Sequence, residues 1–338
     1  MATLVVKNLF KHYKNAKYIS AADISFDVKE GEIFGFLGIN GAGKSTTIKC
    51  ITGIIPFTSG TIQVCGHDMG KDAMNAKMNF GFVPDNHAVY DKLTGVEYIN
   101  YLADLYKVPA NVRQENFERL SKIFNMENAV NNQIMSYSHG MKQKISIMGA
   151  LIHSPKLWIL DEPMVGLDPQ SIYEVKNYMR EYAKAGNSVF FSSHNLDTVE
   201  LLCDRAIAIH GGKVLKEFDL NQYRKTGKSL EAEFLAMTQE ATRVQNEARK
   251  ALRDKEDDLA KTHGRNTANK MIIAQIRQEL ENAIAQSQAG EQQLNPNQKD
   301  NGTPQPVFSN GDEVLQDNAA GFDVSTEKPS RKKGRGKS

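Results

Sequence analysis

The octapeptide Gly38-Ile39-Asn40-Gly41-Ala42-Gly43-Lys44-Ser45 constrains this chain more than any other segment. It fits the pattern G-x-x-x-x-G-K-[ST], and Thr46 follows directly. Glycines at this spacing let the backbone curl until successive N–H groups point inward, a nest for phosphate oxygens. Such a loop needs a buried strand to deliver it and a helix to receive it. Ile33-Phe34-Gly35-Phe36-Leu37 is a short, continuously apolar run, the pattern of a strand covered on both faces. The segment Thr46–Gly53 reads as the opening of a helix, whose positive end adds to the same anion site. In this setting Lys44 would bridge the β- and γ-phosphates of a nucleotide, and the Ser45 hydroxyl would ligate Mg²⁺.

A complement lies further on. Leu157-Trp158-Ile159-Leu160 is again a buried strand, and Asp161-Glu162 emerges at its carboxyl end, where open α/β sheets bind ligands. Asp161 would hold Mg²⁺ through water, and Glu162 would polarise an attacking water. Between the two motifs, Gly95–Lys107 and Asn111–Phe124 carry apolar residues at helical spacing, and a further helix begins near Met141. A helix around Ser171–Ala185, a strand at Ser188–Ser192, and a hairpin of Arg205–His210 and Lys213–Phe218 about Gly211-Gly212 complete the pattern. Together with strands in the first 35 residues, this predicts an α/β fold with a helical subdomain inserted at about 86–150.

Between the two phosphate motifs, Tyr137-Ser138-His139-Gly140-Met141-Lys142-Gln143-Lys144 resembles the LSGGQ signature of ABC-family ATPases, with Tyr, His and Met in place of Leu, Gly and Gln. Ser138 and Gly140 are kept, and a serine hydroxyl with free N–H groups at a helix start suits an anion. Three more segments follow the family's order: Tyr13 as the aromatic that stacks on adenine or packs locally, Gly166-Leu167-Asp168-Pro169 as the D-loop, and His194 as the switch histidine after an apolar strand. The resemblance covers about residues 1–220 and implies an ABC-type P-loop NTPase with a mixed sheet. It implies ATP and Mg²⁺ as ligands, with Gly38, Asn40, Gly41, Ala42, Gly43, Lys44, Ser45, Thr46, His139 and Asp168 among the contacts. It implies catalysis by Glu162, His194 and Lys44, with metal held at Ser45 and Asp161. The signature would complete the site of an opposite protomer, so a head-to-tail homodimer, or a heterodimer with a second ATP-binding subunit, is expected. One position departs: the loop linking nucleotide to membrane subunit commonly carries Gln, and here Asp85 stands there.

Bulk properties fit a motor whose membrane path is another chain. No stretch reaches the ~20 apolar residues that span a bilayer, and the first residues, MATLVVKNLFKHYK, read as a strand and not as a signal peptide. Cys50, Cys65 and Cys203 show no paired spacing, which suits a reducing compartment. The resemblance therefore implies separate permease subunits, a peripheral place on the cytoplasmic face of the cell membrane, and export of a peptide, drug or lipid. A non-transport ABC ATPase serving ribosomes or DNA is the alternative; such relatives carry two cassettes or an interrupted one, and this chain has one, uninterrupted. No nucleic-acid partner is expected, although the net charge of +2 argues neither for nor against one. After about residue 240 the composition turns charged, predicting a helical extension over 241–290 whose Ile272, Ile273, Ile276 and Leu280 form either a partner-binding strip or a solvated face. A disordered tail, 291–338, ends in RKKGRGKS.

Overall fold

The computed structural model describes residues 1–14, 19–86, 89–263, 274–275 and 278. Strands β1 (Ala2–Lys11), β2 (Ala21–Lys29) and β3 (Ile33–Leu37) lead into α1 (Lys44–Ile51). β4 (Ser59–Val64), β5 (His67–Asp68), α2 (Ala73–Met78) and β6 (Phe80–Val83) follow. Helices α3 (Gly95–Leu105), α4 (Ala110–Ile123) and α5 (His139–Leu151) are inserted before β7 (Leu157–Leu160). The chain continues through α6 (Pro169–Lys184), β8 (Ser188–Ser193), α7 (Leu196–Leu202), β9 (Arg205–His210), β10 (Lys213–Asp219), α8 (Leu220–Tyr223) and α9 (Leu230–His263).

Among the described residues the strands form two sheets. The smaller, ordered β2-β1-β4-β5, is antiparallel; the larger is ordered β10-β9-β3-β8-β7-β6 and is parallel except at its β10 edge. Successive side chains of a strand point to opposite faces, and both faces of the large sheet are covered. Phe34, Phe36, Leu157, Ile159 and Phe190 enter the core shared with the small sheet, while Leu37, Trp158, Leu160, Val189 and Phe191 enter the core beneath the helices. This two-sided burial is why β3 and β7 read as unbroken apolar runs and why β8 carries Val189-Phe190-Phe191 at its centre. In the first core Phe26 stacks between Phe34 and Phe190 at 5.5 and 5.4 Å. In the second, Trp158 meets Tyr178 and Tyr182 of α6 edge-on at 5.8 and 5.7 Å. Each such fully buried side chain contributes about 1.5–3 kcal/mol.

The inserted helices are fixed by local chemistry at one end and close packing at the other. Thr94 caps α3 in a reciprocal capping box with Glu97. At the junction with the sheet, a Cβ on Gly81 of β6 would stand 1.9 Å from the Ala150 carbonyl oxygen, so only glycine lets α5 lie this close. Two helices begin two residues before the sequence reading put them: α1 at Lys44 and α5 at His139. The composition change near residue 240 falls inside α9, which starts at Leu230 and continues through it. Beyond His263 the expected extension, apart from residues 274–275 and 278, and the tail 291–338 lie outside the described residues, as does the strip at Ile272, Ile273, Ile276 and Leu280.

Candidate nucleotide site

Four neighbouring parallel strands, β3, β8, β7 and β6, point their carboxyl ends the same way. The glycine-rich loop follows β3, His194 follows β8, Asp161-Glu162 follows β7, and Pro84-Asp85 follows β6. Segments separated by more than a hundred residues are thereby gathered along one sheet edge.

The loop is shaped by glycines in the left-handed region. Gly41 (φ 82°) faces open space where a Cβ would be, and Gly43 (φ 107°) serves as the N-cap of α1. Lys44, only 6 % exposed, turns back along the loop and donates to the Gly38 carbonyl at 2.6 Å and to that of Ile39 at 3.3 Å. Its Nζ stands 3.1 Å from Glu162 Oε1, an ion pair not aligned as a hydrogen bond. The other carboxylate oxygen of Glu162 lies 2.9 Å from His194 Nδ1. Glu162 thus bridges the loop lysine and the histidine.

Its backbone explains how it reaches both. Glu162 has φ 48°, a conformation that costs a non-glycine residue about 1–2 kcal/mol, and its N–H is tied at 2.9 Å to Ser192 Oγ. The Ser192 hydroxyl in turn donates to Asp161 Oδ1 at 2.6 Å, and the Asp161 N–H donates to the Val83 carbonyl at 3.0 Å. Asp161 is 2 % exposed. Burial holds its carboxyl above the ordinary aspartate value; the Ser192 and Ser45 hydroxyls bonded to it pull the other way, and the nearby charges of Asp85 and Glu162 push it further up.

The signature and D-loop segments form a second cluster. Ser138 is the N-cap of α5 and accepts from the Met141 N–H at 3.3 Å. A Cβ on Gly140 would lie 3.1 Å from Asp168 Oδ2 and 3.2 Å from Ser171 Oγ. The His139 ring packs on Gly166, with Nε2 2.8 Å from where a Cβ would stand. Asp168 caps α6, accepting from the Ser171 hydroxyl at 2.6 Å and its N–H at 3.0 Å, and these bonds hold its carboxyl below the usual range. Tyr13 is 40 % exposed, its ring beneath Lys11 Nζ at 4.7 Å. Asn40 and Asp85 are exposed, Ala42 is buried, and Thr46 is half-buried.

Two residues at these motifs escaped the sequence reading. Ser192 is wholly buried and organises both acids; the signal was a hydroxyl directly after the apolar run Val189-Phe190-Phe191, at a buried position where only a bonded polar group is tolerated. Gln143, 1 % exposed, donates to the Pro163 carbonyl at 3.1 Å and so ties α5 to the turn after Glu162.

A glycine-rich loop at a helix start, a buried lysine, and paired acids on the next strand but one are the parts of a nucleoside-triphosphatase site on an α/β sheet. A family model described as ABC transporter matches residues 21–165. The linearmycin resistance ATP-binding protein LnrL of Bacillus subtilis (strain 168) is 37 % identical over 212 residues, 63 % of this chain and 68 % of that protein. The bacitracin transport ATP-binding protein BcrA of Bacillus licheniformis is 34 % identical over 230 residues, 68 % of this chain and 74 % of that protein. A solved ATP-binding subunit of an ABC transporter superposes with a TM-score of 0.66 at 31 % identity, covering 70 % of this chain and 99 % of that structure. The chain belongs to the ABC transporter ATP-binding proteins, and its activity is that of their ATPase cassette.

Proposed function

We propose that this chain is the ATP-hydrolysing motor of an exporter for peptide, drug or lipid cargo, working through separate permease subunits. The observation that carries the catalytic part is the bridge from Lys44 through Glu162 to His194. Lys44 neutralises the terminal phosphates in a loop whose glycines let N–H groups turn towards them. Glu162 orients the attacking water and takes up its proton, with His194 holding the carboxylate and sensing the γ-phosphate. Positioning and charge neutralisation supply most of the acceleration in phosphoryl transfer. Asp85 brings a carboxylate to the coupling loop.

The residues present suit a magnesium ion: the Ser45 hydroxyl and Asp161 carboxylate are bonded neighbours, both hard oxygen donors, and Asp161 is buried. Bound there, Mg²⁺ would draw charge from the phosphate oxygens. Its few protein donors agree with a cation that shares its shell with phosphates and water.

Ser138, His139 and Gly140, at a helix N-terminus, would face the ATP of a second protomer, with Tyr13 against adenine and Asp168 linking the two sites. The reading places the chain as a peripheral subunit at the cytoplasmic face of the membrane; among the described residues no helix is long and apolar enough to cross a membrane. A cleft of about 290 Å³ opens between the sheet and the inserted helices, lined by Ile54, Phe82, Pro84, Tyr98, Leu102 and Tyr106. Pro84 adjoins Asp85, so a permease segment seated there would feel the nucleotide site directly. The cargo class rests on relatives named for linearmycin resistance and bacitracin transport. Affinity purification from gently solubilised membranes tests the whole reading: a stoichiometric multi-helix partner supports it, and ribosomes or DNA in its place overturn it.

A further inference from the structure

The back of the phosphate loop rests on the turn of the β9–β10 hairpin, and that turn rests on α9. Three backbone segments meet there too closely for side chains. The Gly212 N–H donates to the Ala42 carbonyl at 2.8 Å, and the Gly212 carbonyl accepts from the Ala22 N–H at 2.7 Å. A Cβ on Gly43 would stand 2.5 Å from the Ser20 carbonyl oxygen and 3.3 Å from Gly212 Cα, while one on Gly212 would stand 2.9 Å from Ser20 O. The Ala42 carbonyl and the Gly43 N–H belong to one rigid peptide plane. Holding the carbonyl from behind therefore fixes the direction of an N–H in the nest.

On its other side the turn meets α9. The Gln245 side-chain amide lies against Gly211, its Nε2 2.4 Å from where a Cβ would be. Thr242 Oγ1 is 3.3 Å from Nε2 of His210, a residue 8 % exposed, and donates its own proton to the Thr238 carbonyl at 2.7 Å. His210 Nε2–H is therefore the donor to Thr242. Leu230, Phe234 and Ala241 are buried along the same face, so α9 is seated and not merely adjacent.

We infer that α9 sets the phosphate loop through the Gly211-Gly212 turn, with Thr242 and Gln245 as positioning residues for ATP binding. A partner that grips the C-terminal extension would then change ATP affinity without touching the nucleotide. This rests on the glycine loop being the ATP site. The test uses the full chain, measuring ATP binding by titration, the KM and kcat of hydrolysis, and Tm. The unmodified chain must bind ATP; if it does not, the functional reading itself falls. Given binding, the double variant Thr242→Val/Gln245→Ala raises KM and Kd for ATP roughly threefold, the scale of one weakened neutral hydrogen bond, with kcat unchanged. Thr242→Ser restores the parent value, and Glu247→Gln, exposed on the side of α9 turned away from Gln245, leaves it alone. Should the double variant fail to fold, the isosteric Thr242→Val is read by the same criteria. Unchanged KM and Kd at full Tm overturn the inference, as does a loss of kcat that merely follows a lowered Tm.

Discussion

Replacing Ser192 by alanine removes one hydroxyl that serves two groups. The carboxylate of Asp161 loses a 2.6 Å charge-assisted bond, and the Glu162 N–H loses its acceptor at 2.9 Å. The first is worth about 1.5–3 kcal/mol and the orphaned N–H about 1–3 kcal/mol. With Ser192 fully buried and Asp161 2 % exposed, water cannot take the hydroxyl's place without rearrangement. Together they give a loss of about 2.5–6 kcal/mol, or roughly 5–24 °C in Tm at about 2–4 °C per kcal/mol for a domain of about 150–250 residues. The pH dependence follows from Asp161, whose carboxyl titrates above the ordinary aspartate range because it is buried. A raised folded-state pKa favours the fold at acid pH, and that contribution is lost as pH rises through it. Ser192 lowers this pKa, so its removal hurts most where Asp161 is ionised. Thermal unfolding of parent and Ser192→Ala at neutral and acid pH should show a deficit that shrinks on acidification, and ATPase activity should fall as Glu162 loses its anchor. A Tm difference below about 2 °C, or a deficit equal at both pH values, would refute the account.

Glu162→Gln keeps the shape of the bridge but not its basicity; phosphate release should fall about a hundredfold or more while ATP binding persists, and near-normal turnover would remove Glu162 from the reaction. Ser138→Ala loses the cap of α5, about 1 kcal/mol of stability, yet hydrolysis should drop about tenfold or more if Ser138 faces a partner's ATP; a drop no larger than the stability loss implies would leave it a cap alone. Burial lowers His153, whose ring stacks on Tyr106 at 3.6 Å, from 6.5 to about 4. Its contribution to stability is full above 6.5 and is lost as pH falls towards 4; His153→Phe should flatten the parent's decline in unfolding midpoint over that range, and identical profiles would rule the histidine out.

The phosphate motifs were legible because their geometry demands residue types. Gly43 at φ 107° and the apolar β3 leave few alternatives, and Asp161, Glu162 and His194 stand at strand ends that the apolar runs announce. Other parts were hidden for definite reasons. β4 alternates weakly through Ser59-Gly60-Thr61 and takes its place from pairing with β1, not from its own pattern. α2 is six residues long with no bonded side-chain cap, and β6 is four residues held by pairing with β7. The start of α1 was read late because Lys44 points back along the loop and adds nothing to a hydrophobic period. The composition shift near residue 240 concealed that the buried face of α9, Leu230, Phe234, Thr238 and Ala241, runs at helical spacing across it.

The strand order also sets a timetable for synthesis. β3 lies between β8 and β9, Leu37 pairing with Ser193 on one side and Ala208 on the other. Both partners are translated more than 150 residues after β3, which at about 5–20 residues per second is a wait of roughly 8–30 s on the ribosome. Through that interval the phenylalanines of β3 have no sheet to join, and pairings so distant in sequence form slowly once they can. The nascent chain is therefore sticky just where its most specific loop begins. A chain cut short before β8 would carry the complete glycine loop and still lack the strand that holds it in place.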